Sequence, residues 1–61
     1  MPMTTREAIR LIRKMGGRFG HHGAEHDIYY SRDGAPIAVP RHKGDLTPGV
    51  ERSIKRALGI K

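Results

Sequence analysis

Apolar residues recur at helical spacing in two segments of the chain, one near each end. In residues 4–17, Thr4 and Glu7 form a capping-box pattern at the start, and Gly16 and Gly17 supply the stop. The spacing therefore predicts an amphipathic first helix whose apolar face lies in the core. That face consists of Ala8, Ile9, Leu11, Ile12 and Met15.

The second helical pattern covers residues 47–59. Thr47 suits the N-cap, Pro48 suits the first helical position and Gly59 suits the exit. The apolar face of this helix consists of Val50, Ile54, Ala57 and Leu58. Its basic side chains point away from that face, so we expect the helix to pack with one side on a sheet.

Between the helices the pattern changes to that of short strands. Residues 18–22 predict a poorly defined strand, and residues 26–31, rich in β-branched and aromatic side chains, predict a second. An Asp-Gly pair at positions 33 and 34 favours a hairpin turn. Ile37 and Val39 alternate across a third strand that Pro40 ends.

The predicted order is therefore α-β-β-β-α, an α+β fold. The economical packing lays both helices on one face of a three-stranded antiparallel sheet. The other face of the sheet is then left to solvent or to a partner.

Composition narrows the class of protein. The 61 residues make one domain, residues 1–61, and the absence of cysteine excludes disulfides and thiolate metal sites. The start of the chain lacks the apolar run of a signal peptide, and no stretch is long enough to span a membrane, so we expect a cytoplasmic protein. A formal net charge of +6 on so small a domain favours a phosphate-bearing partner such as RNA.

Few catalytic constellations fit the sequence. His21, His22 and His26 could supply three imidazoles to a zinc ion, but their spacing is not that of a helical ligand pair, and we predict no metal site. Neither serine lies in a nucleophile elbow, the acidic residues are scattered, and the glycines match no nucleotide-binding loop.

RNA cleavage remains as chemistry that a small domain can perform. The 2′-hydroxyl is an internal nucleophile beside the scissile phosphate, so proximity is built into the substrate. The protein then needs a proton-transfer group that titrates near neutrality, for which histidine is suited, and cations that stabilise the phosphorane.

Several motifs follow one another in a fixed order along almost the whole chain. They are Gly16-Gly17 at the end of the first helix, Gly23-Ala24-Glu25-His26, the turn Asp33-Gly34, Val39-Pro40-Arg41-His42, Leu46-Thr47-Pro48-Gly49, and a basic helix of the form Arg-Ser-Ile-x-x-Ala-Leu-Gly-Ile. Together, from about Thr5 to Ile60, these motifs resemble the HicA-type mRNA interferase toxins of bacterial toxin–antitoxin pairs.

The resemblance implies a fold similar to double-stranded RNA-binding domains and a ribosome-independent endoribonuclease activity. It also implies that the histidine of the Gly-x-x-His element, here His26, is catalytic, and that a HicB-type antitoxin covers the active site. We predict neither a metal nor another cofactor. Where this family commonly has Ser, Asn, Lys or His, this chain has Glu25, a carboxylate that would repel RNA phosphate.

The strand period bears on how His26 meets a substrate. In an ideal strand His26 has the parity of Ile28 and Tyr30. We expect Ile28 to face the helices, so that His26 reaches solvent only at the start of its strand or on a twisted turn. The sequence leaves open whether His26 acts as general base or as general acid.

Basic residues in two places predict RNA binding. One group follows the third strand and leads to a helix N-terminus, itself an anion site, so we expect it to position phosphate. The other group lies on the outer face of the first helix. The predicted RNA-binding residues are Arg6, Arg10, Arg13, Arg41, His42 and Lys43. Of the two tyrosines, one belongs in the core and the other could stack on a splayed base.

Two other functions fit the same sequence. One is a non-catalytic RNA-binding module that has the fold and the charge without the chemistry. The other is a structural partner whose basic face binds an acidic protein. A neighbouring gene for a small protein with an acidic surface would favour the toxin over both alternatives. Growth arrest on induction of the gene separates the toxin from the RNA-binding module.

Overall fold

A computed structural model describes residues 2–41 and 44–60. His42 and Lys43, two of the predicted RNA-binding residues, lie outside the described residues. The elements are α1 (Thr5–Lys14), β1 (Arg18–His22), β2 (His26–Tyr30), β3 (Pro36–Pro40) and α2 (Pro48–Ala57). The predicted order α-β-β-β-α is confirmed, and the strands form one antiparallel sheet in the order β1-β2-β3.

Both helices begin at the caps that the sequence predicts. The Thr4 hydroxyl accepts a hydrogen bond from the Glu7 amide at 3.1 Å, and the Glu7 carboxylate accepts one from the Thr4 amide at 2.9 Å. Thr47 caps α2, with Pro48 at its start. These side chains satisfy amides that have no partner inside the helix, which fixes where each helix begins.

The core lies between the helices and one face of the sheet. Its buried members are Ala8, Ile12, Tyr29, Ile37, Val39, Leu46 and Ile54. Tyr29 pairs with Ile37 across β2 and β3, so the three sheet residues of this cluster point to one side, where both helices pack on them. The prediction of two helices on one face of an α+β sheet is confirmed.

The alternation in β2 corrects one expectation. Because Tyr29 is buried among the helices, its neighbours Ile28 and Tyr30 point to the opposite, open face of the sheet. The expectation that Ile28 faces the helices is therefore wrong. Met15 is also not a core residue, since it lies just beyond α1 and is 40% exposed.

The N-terminal segment is tied to α2 and to the loop before it. The Leu46 amide donates to the Met3 carbonyl at 2.7 Å, and the Met3 amide donates to the Glu51 carboxylate at 2.9 Å. Lys55 pairs with the other oxygen of the same carboxylate at 3.0 Å. Within the described part of the chain, neither helix has the length and apolarity needed to cross a membrane.

Candidate functional site on the open face of the sheet

His26 is the first residue of β2, and its side chain lies on the open face of the sheet. It pairs with Pro40 of β3 and has the strand parity of Ile28 and Tyr30, which share that face. The residue is exposed. The predicted parity of His26 is thus confirmed. Because both helices pack on the other face of the sheet, this parity gives His26 access to solvent.

A hollow of about 340 Å³ adjoins His26 on this face. Its wall is the turn between β1 and β2, and its floor is Ile28 and the small Ala38, which pair across β2 and β3. Ala24, Glu25 and Arg41 line a second hollow of about 550 Å³. The Gly-x-x-His turn therefore separates two concave surfaces, and His26 opens on the first of them.

Arg41 holds this turn from the end of β3. Its guanidinium donates to the Gly23 carbonyl and, at 2.9 Å, to the Ala24 carbonyl. The Gly23 amide in turn donates to the His26 carbonyl at 2.7 Å. Because the planar guanidinium presents several N–H groups in a fixed arrangement, one side chain can hold two successive carbonyls. Arg41 thereby determines the path by which the chain enters β2 at His26.

Asp27 completes the arrangement from the helix-facing side of β2. Its Oδ1 lies 3.3 Å from Nε of Arg41 and 2.7 Å from Nδ1 of His22. The Asp27 side chain is 18% exposed and that of Arg41 is 43% exposed. The carboxylate thus orients the guanidinium that holds the turn, while His22 occupies the opposite face of the sheet from His26.

A second group of side chains lies at the other end of the open face. The Cζ atom of Arg18 lies 5.8 Å from the centre of the Tyr30 ring, and the His21 ring lies 6.3 Å from it, centre to centre. All three residues belong to paired positions of β1 and β2 on the open side. The face therefore carries a histidine at one end and an aromatic ring with a cation at the other.

The predicted basic residues of α1 lie elsewhere. Arg6, Arg10 and Arg13 are exposed, whereas Ala8 and Ile12 of the same helix are buried against the sheet. The arginines therefore point away from the sheet on the side opposite to its open face. The structure brings Arg41 to the turn of His26 but does not bring these three arginines to it.

The three histidines of the possible zinc site do not converge. His21 and His26 lie on the open face and His22 on the other, where it pairs with Asp27. Across residues 2–41 and 44–60, His, Asp and Glu side chains form no group of three or more that could hold a metal ion.

Two features of the site were not predicted from the sequence. Asp27 and Arg18 were not singled out, because a lone acid and a lone arginine carry no motif. The signal that was available is strand parity. Asp27 lies two residues before the core residue Tyr29, so both point to the same face, and Asp27 pairs with buried Val39. An acidic side chain on the core side of a central strand needs a cationic partner nearby.

The fold and the site define a small basic α+β domain with an exposed histidine on an open sheet face. The sequence profile of the HicA toxin of bacterial toxin–antitoxin systems matches residues 5–60. The chain therefore belongs to the HicA toxin family. Comparison with curated proteins gives no significant match.

Proposed function

We propose that this toxin is a metal-independent endoribonuclease that cleaves mRNA with His26 as its proton-transfer residue. The observation that carries the proposal is the position of His26, exposed on the open face of the sheet and lining a hollow at the Gly-x-x-His turn. Membership of the HicA toxin family, whose members generally are RNases, supports it. Because mRNA is the proposed substrate, we propose that the protein acts in the cytoplasm.

The chemistry requires one bond to form and one to break at phosphorus. The 2′-oxygen attacks the adjacent phosphorus and gives up its proton, and the bond from phosphorus to the 5′-oxygen breaks as that oxygen gains a proton. A neutral imidazole at position 26 serves the first transfer, and an imidazolium serves the second. Either role needs only that His26 meet the scissile phosphate in the hollow.

Charge complementarity supports RNA as the substrate. The chain carries 12 Lys and Arg against 6 Asp and Glu, and a positive field of this kind attracts RNA from solution. Arg41, beside the turn, is proposed to position phosphate, together with His42 and Lys43, which follow it in the sequence. The outward arginines of α1 are proposed to attract the backbone at longer range, because they lie on the other side of the sheet.

A toxin–antitoxin family implies an antitoxin as partner. We propose a HicB-type antitoxin that covers the open face and with it His26. Because it binds the folded toxin, it should raise the melting temperature of this small domain. An acidic contact surface on the antitoxin should make association fast at low salt and slower at high salt.

The test compares His26→Gln with a matched histidine substitution, His22→Gln. Glutamine retains a polar side chain of similar size at each position. His22 lies on the opposite face of the sheet, and a glutamine there can still donate to Asp27 as His22 does. We expect His26→Gln to abolish growth arrest on induction and to slow RNA cleavage in vitro by about 10²- to 10⁴-fold. We expect His22→Gln to keep both activities, and circular dichroism melting confirms that each variant is folded.

Cleavage by His26→Gln at the wild-type rate would contradict the assignment. RNA binding by the wild type without cleavage or growth arrest would identify the alternative function, a non-catalytic RNA-binding module. Binding to an acidic protein without affinity for RNA would identify a structural partner.

A further inference from the structure

Tyr30 lies at the end of β2 farthest from His26, on the same open face. It is half-buried, whereas its neighbour Tyr29 is in the core. Tyr30 takes no part in the proposed chemistry of His26, and its ring does not belong to the hydrophobic core. The surroundings of the ring therefore need an explanation of their own.

Gly20 makes room for this ring. A Cβ atom at position 20 would stand 2.3 Å from Cε2 and 2.7 Å from Cδ2 of Tyr30, closer than non-bonded carbon atoms approach. The pairing of β1 with β2 shifts register between Phe19 and His21, so Gly20 is the extra residue of a bulge. Glycine in the bulge thus lets the Tyr30 ring lie against the backbone of β1 on the open face.

Two side chains of β1 frame the ring. The Arg18 guanidinium carbon lies 5.8 Å from the ring centre, within the range of a cation–π contact. The His21 ring is tilted by 47° to that of Tyr30 at a centroid separation of 6.3 Å. The ring is partly exposed, with the guanidinium over it. Bases of single-stranded nucleic acid stack on aromatic rings and on guanidinium planes alike.

The open face connects this ring to His26. Tyr30 lies four steps along β2 from His26, a distance of about 13 Å at roughly 3.3 Å per step. The surface between them is formed by half-buried Ile28 and by exposed Ala38. The methyl side chain of Ala38 projects little from the sheet and leaves room for a nucleic-acid strand. A few nucleotides of an extended strand span that distance.

We propose that Tyr30, with Arg18 beside it, is a stacking site for a base of single-stranded RNA whose backbone passes His26. The proposal rests on the proposed function, since it takes His26 as the point of cleavage. Stacking a base at a fixed distance from His26 would hold one phosphate in the hollow beside the turn. The site is tolerant of base identity, because every base has a π-face.

The charges on this face favour RNA over an acidic peptide at the Tyr30 end. Arg18 supplies a cation there. The acidic residue Glu25 lies at the His26 end, where it borders the hollow. An aromatic ring next to a cation matches a base and its phosphate together, whereas a carboxylate would use the cation alone.

A double-mutant cycle between the ring and the base tests the proposal. The background is His26→Gln, which keeps the RNA intact, and the probe is a single-stranded RNA of about eight nucleotides. A ribose-phosphate oligomer of the same length without bases is the second probe. Tyr30→Leu keeps apolar bulk over Gly20 but removes the flat ring, and Tyr30→Phe keeps the ring.

We expect Tyr30→Leu to weaken binding of the RNA by about 5- to 100-fold and to leave binding of the oligomer without bases within about twofold. Tyr30→Phe should bind both probes like the parent. Arg18→Gln should weaken both probes and lower the salt dependence of affinity by about one counterion.

Tyrosine fluorescence gives an independent readout. The chain has two tyrosines and no tryptophan, so Tyr29→Phe leaves Tyr30 as the sole emitter of this kind. We expect the RNA to quench that emission and the oligomer without bases to leave it unchanged. In the converse variant, Tyr30→Phe, the remaining emission comes from buried Tyr29 and should not respond to RNA.

Each outcome decides the matter. If Tyr30→Leu weakens the binding of both probes equally, the ring acts only through the fold, and the proposal is overturned. If it weakens the binding of neither, RNA does not stack on the ring, and another partner, such as a protein, is left as the user of this face; this outcome also overturns the proposal. A base-dependent effect of Tyr30 in a protein that never cleaves RNA would support the stacking site while refuting the proposed catalysis. Cleavage that is lost in His26→Gln but unchanged in Tyr30→Leu would support the proposed catalysis and refute the stacking site.

Discussion

Replacing Arg41 by Ala should loosen the turn that leads into His26. The guanidinium holds the carbonyls of Gly23 and Ala24 and is itself oriented by Asp27. Alanine removes all three contacts at once. Among the residues that the structure describes, the turn then keeps its own hydrogen bond, from the Gly23 amide to the His26 carbonyl.

The expected loss of stability is modest. Both carbonyls belong to an exposed turn and can bond to water instead, which limits each lost hydrogen bond to about 0.5–1.5 kcal/mol. The ion pair with Asp27 is partly exposed and adds about 1 kcal/mol or less, and His22 still pairs with that carboxylate after the change. These contributions sum to about 1–4 kcal/mol. Because all three contacts are exposed or partly exposed, we expect the lower half of that range, about 1–2 kcal/mol, which lowers the melting temperature of a domain of this size by about 4–16 °C.

The expected effect on activity is larger than the effect on stability. A displacement of a reacting group by about 1 Å costs on the order of 100-fold in rate. Because Arg41 sets the path of the chain into β2, its loss should move His26 relative to a phosphate in the hollow. Arg41→Lys should behave similarly, since a single ammonium cannot replace the planar guanidinium at two carbonyls and a carboxylate.

The assay combines thermal unfolding, amide hydrogen exchange of the turn and RNA cleavage. Arg52→Ala is the matched control, because it removes the same charge from an exposed position of α2 on the other side of the sheet. Exchange at the amide of Gly23 should quicken in Arg41→Ala and stay unchanged in Arg52→Ala.

Unchanged melting and unchanged exchange in Arg41→Ala would refute the positioning role. If RNA affinity nevertheless fell, with a salt dependence lower by about one counterion, the proposed phosphate contact would be the role of Arg41 that remains. The two roles differ in that only the first is measurable without RNA.

Three further predictions concern salt, metal and acid. RNA affinity should fall steeply as salt increases, and Lys43→Ala should weaken binding alike for all RNA sequences, so near-constant affinity between low and physiological salt would contradict a phosphate-led interface. Cleavage should proceed at the same rate in excess EDTA, whereas a loss that zinc or manganese restores would favour a metal mechanism. The pKa of Glu51 is lowered by the hydrogen bond from the Met3 amide and then by Lys55, and that of Glu7 is lowered by its hydrogen bonds to Thr4. Both contribute stability above their ordinary pKa of 4.5 that is lost as the pH falls below it. Glu51→Gln should flatten the acid limb of the melting temperature, and an unchanged limb would contradict this linkage.

The helices and the hairpin were predicted because their signals are local. The capping box of Thr4 and Glu7, the Thr47 cap and the Asp-Gly turn each act within a few residues, and the structure contains all of them. The likeness to double-stranded RNA-binding domains remains a prediction.

The facing of β2 was mispredicted because residues 28–30 are apolar or aromatic at both parities. Such a run does not indicate which side is buried. The unambiguous strand is β3, where Ile37 and Val39 are buried and Ala38 is exposed. Pairing across the hairpin places Tyr29 opposite Ile37. The register with β3 therefore determines which face of β2 is buried, which the apolar pattern of β2 alone does not indicate.

The turn contacts of Arg41 had no sequence signal of any kind. The residue lies 18 and 17 positions from the two carbonyls that it holds, and the partners are backbone atoms whose identity no side chain reveals. Sequence alone therefore suggested only the role that any exposed arginine in a basic loop can have, a phosphate contact. Distinguishing the two roles requires the coordinates of the turn.

The size of the chain links its stability to its proposed chemistry. Both helices pack on the same side of the sheet, so the described residues place no second layer over His26, Ile28 and Tyr30. A domain this small has only a few kcal/mol of stability from its core. Whatever covers the open face must therefore both occlude His26 and stabilise the fold. An antitoxin and an RNA strand that use this face exclude each other, and a bound antitoxin should protect the β2 amides and block RNA binding over the same range of concentration.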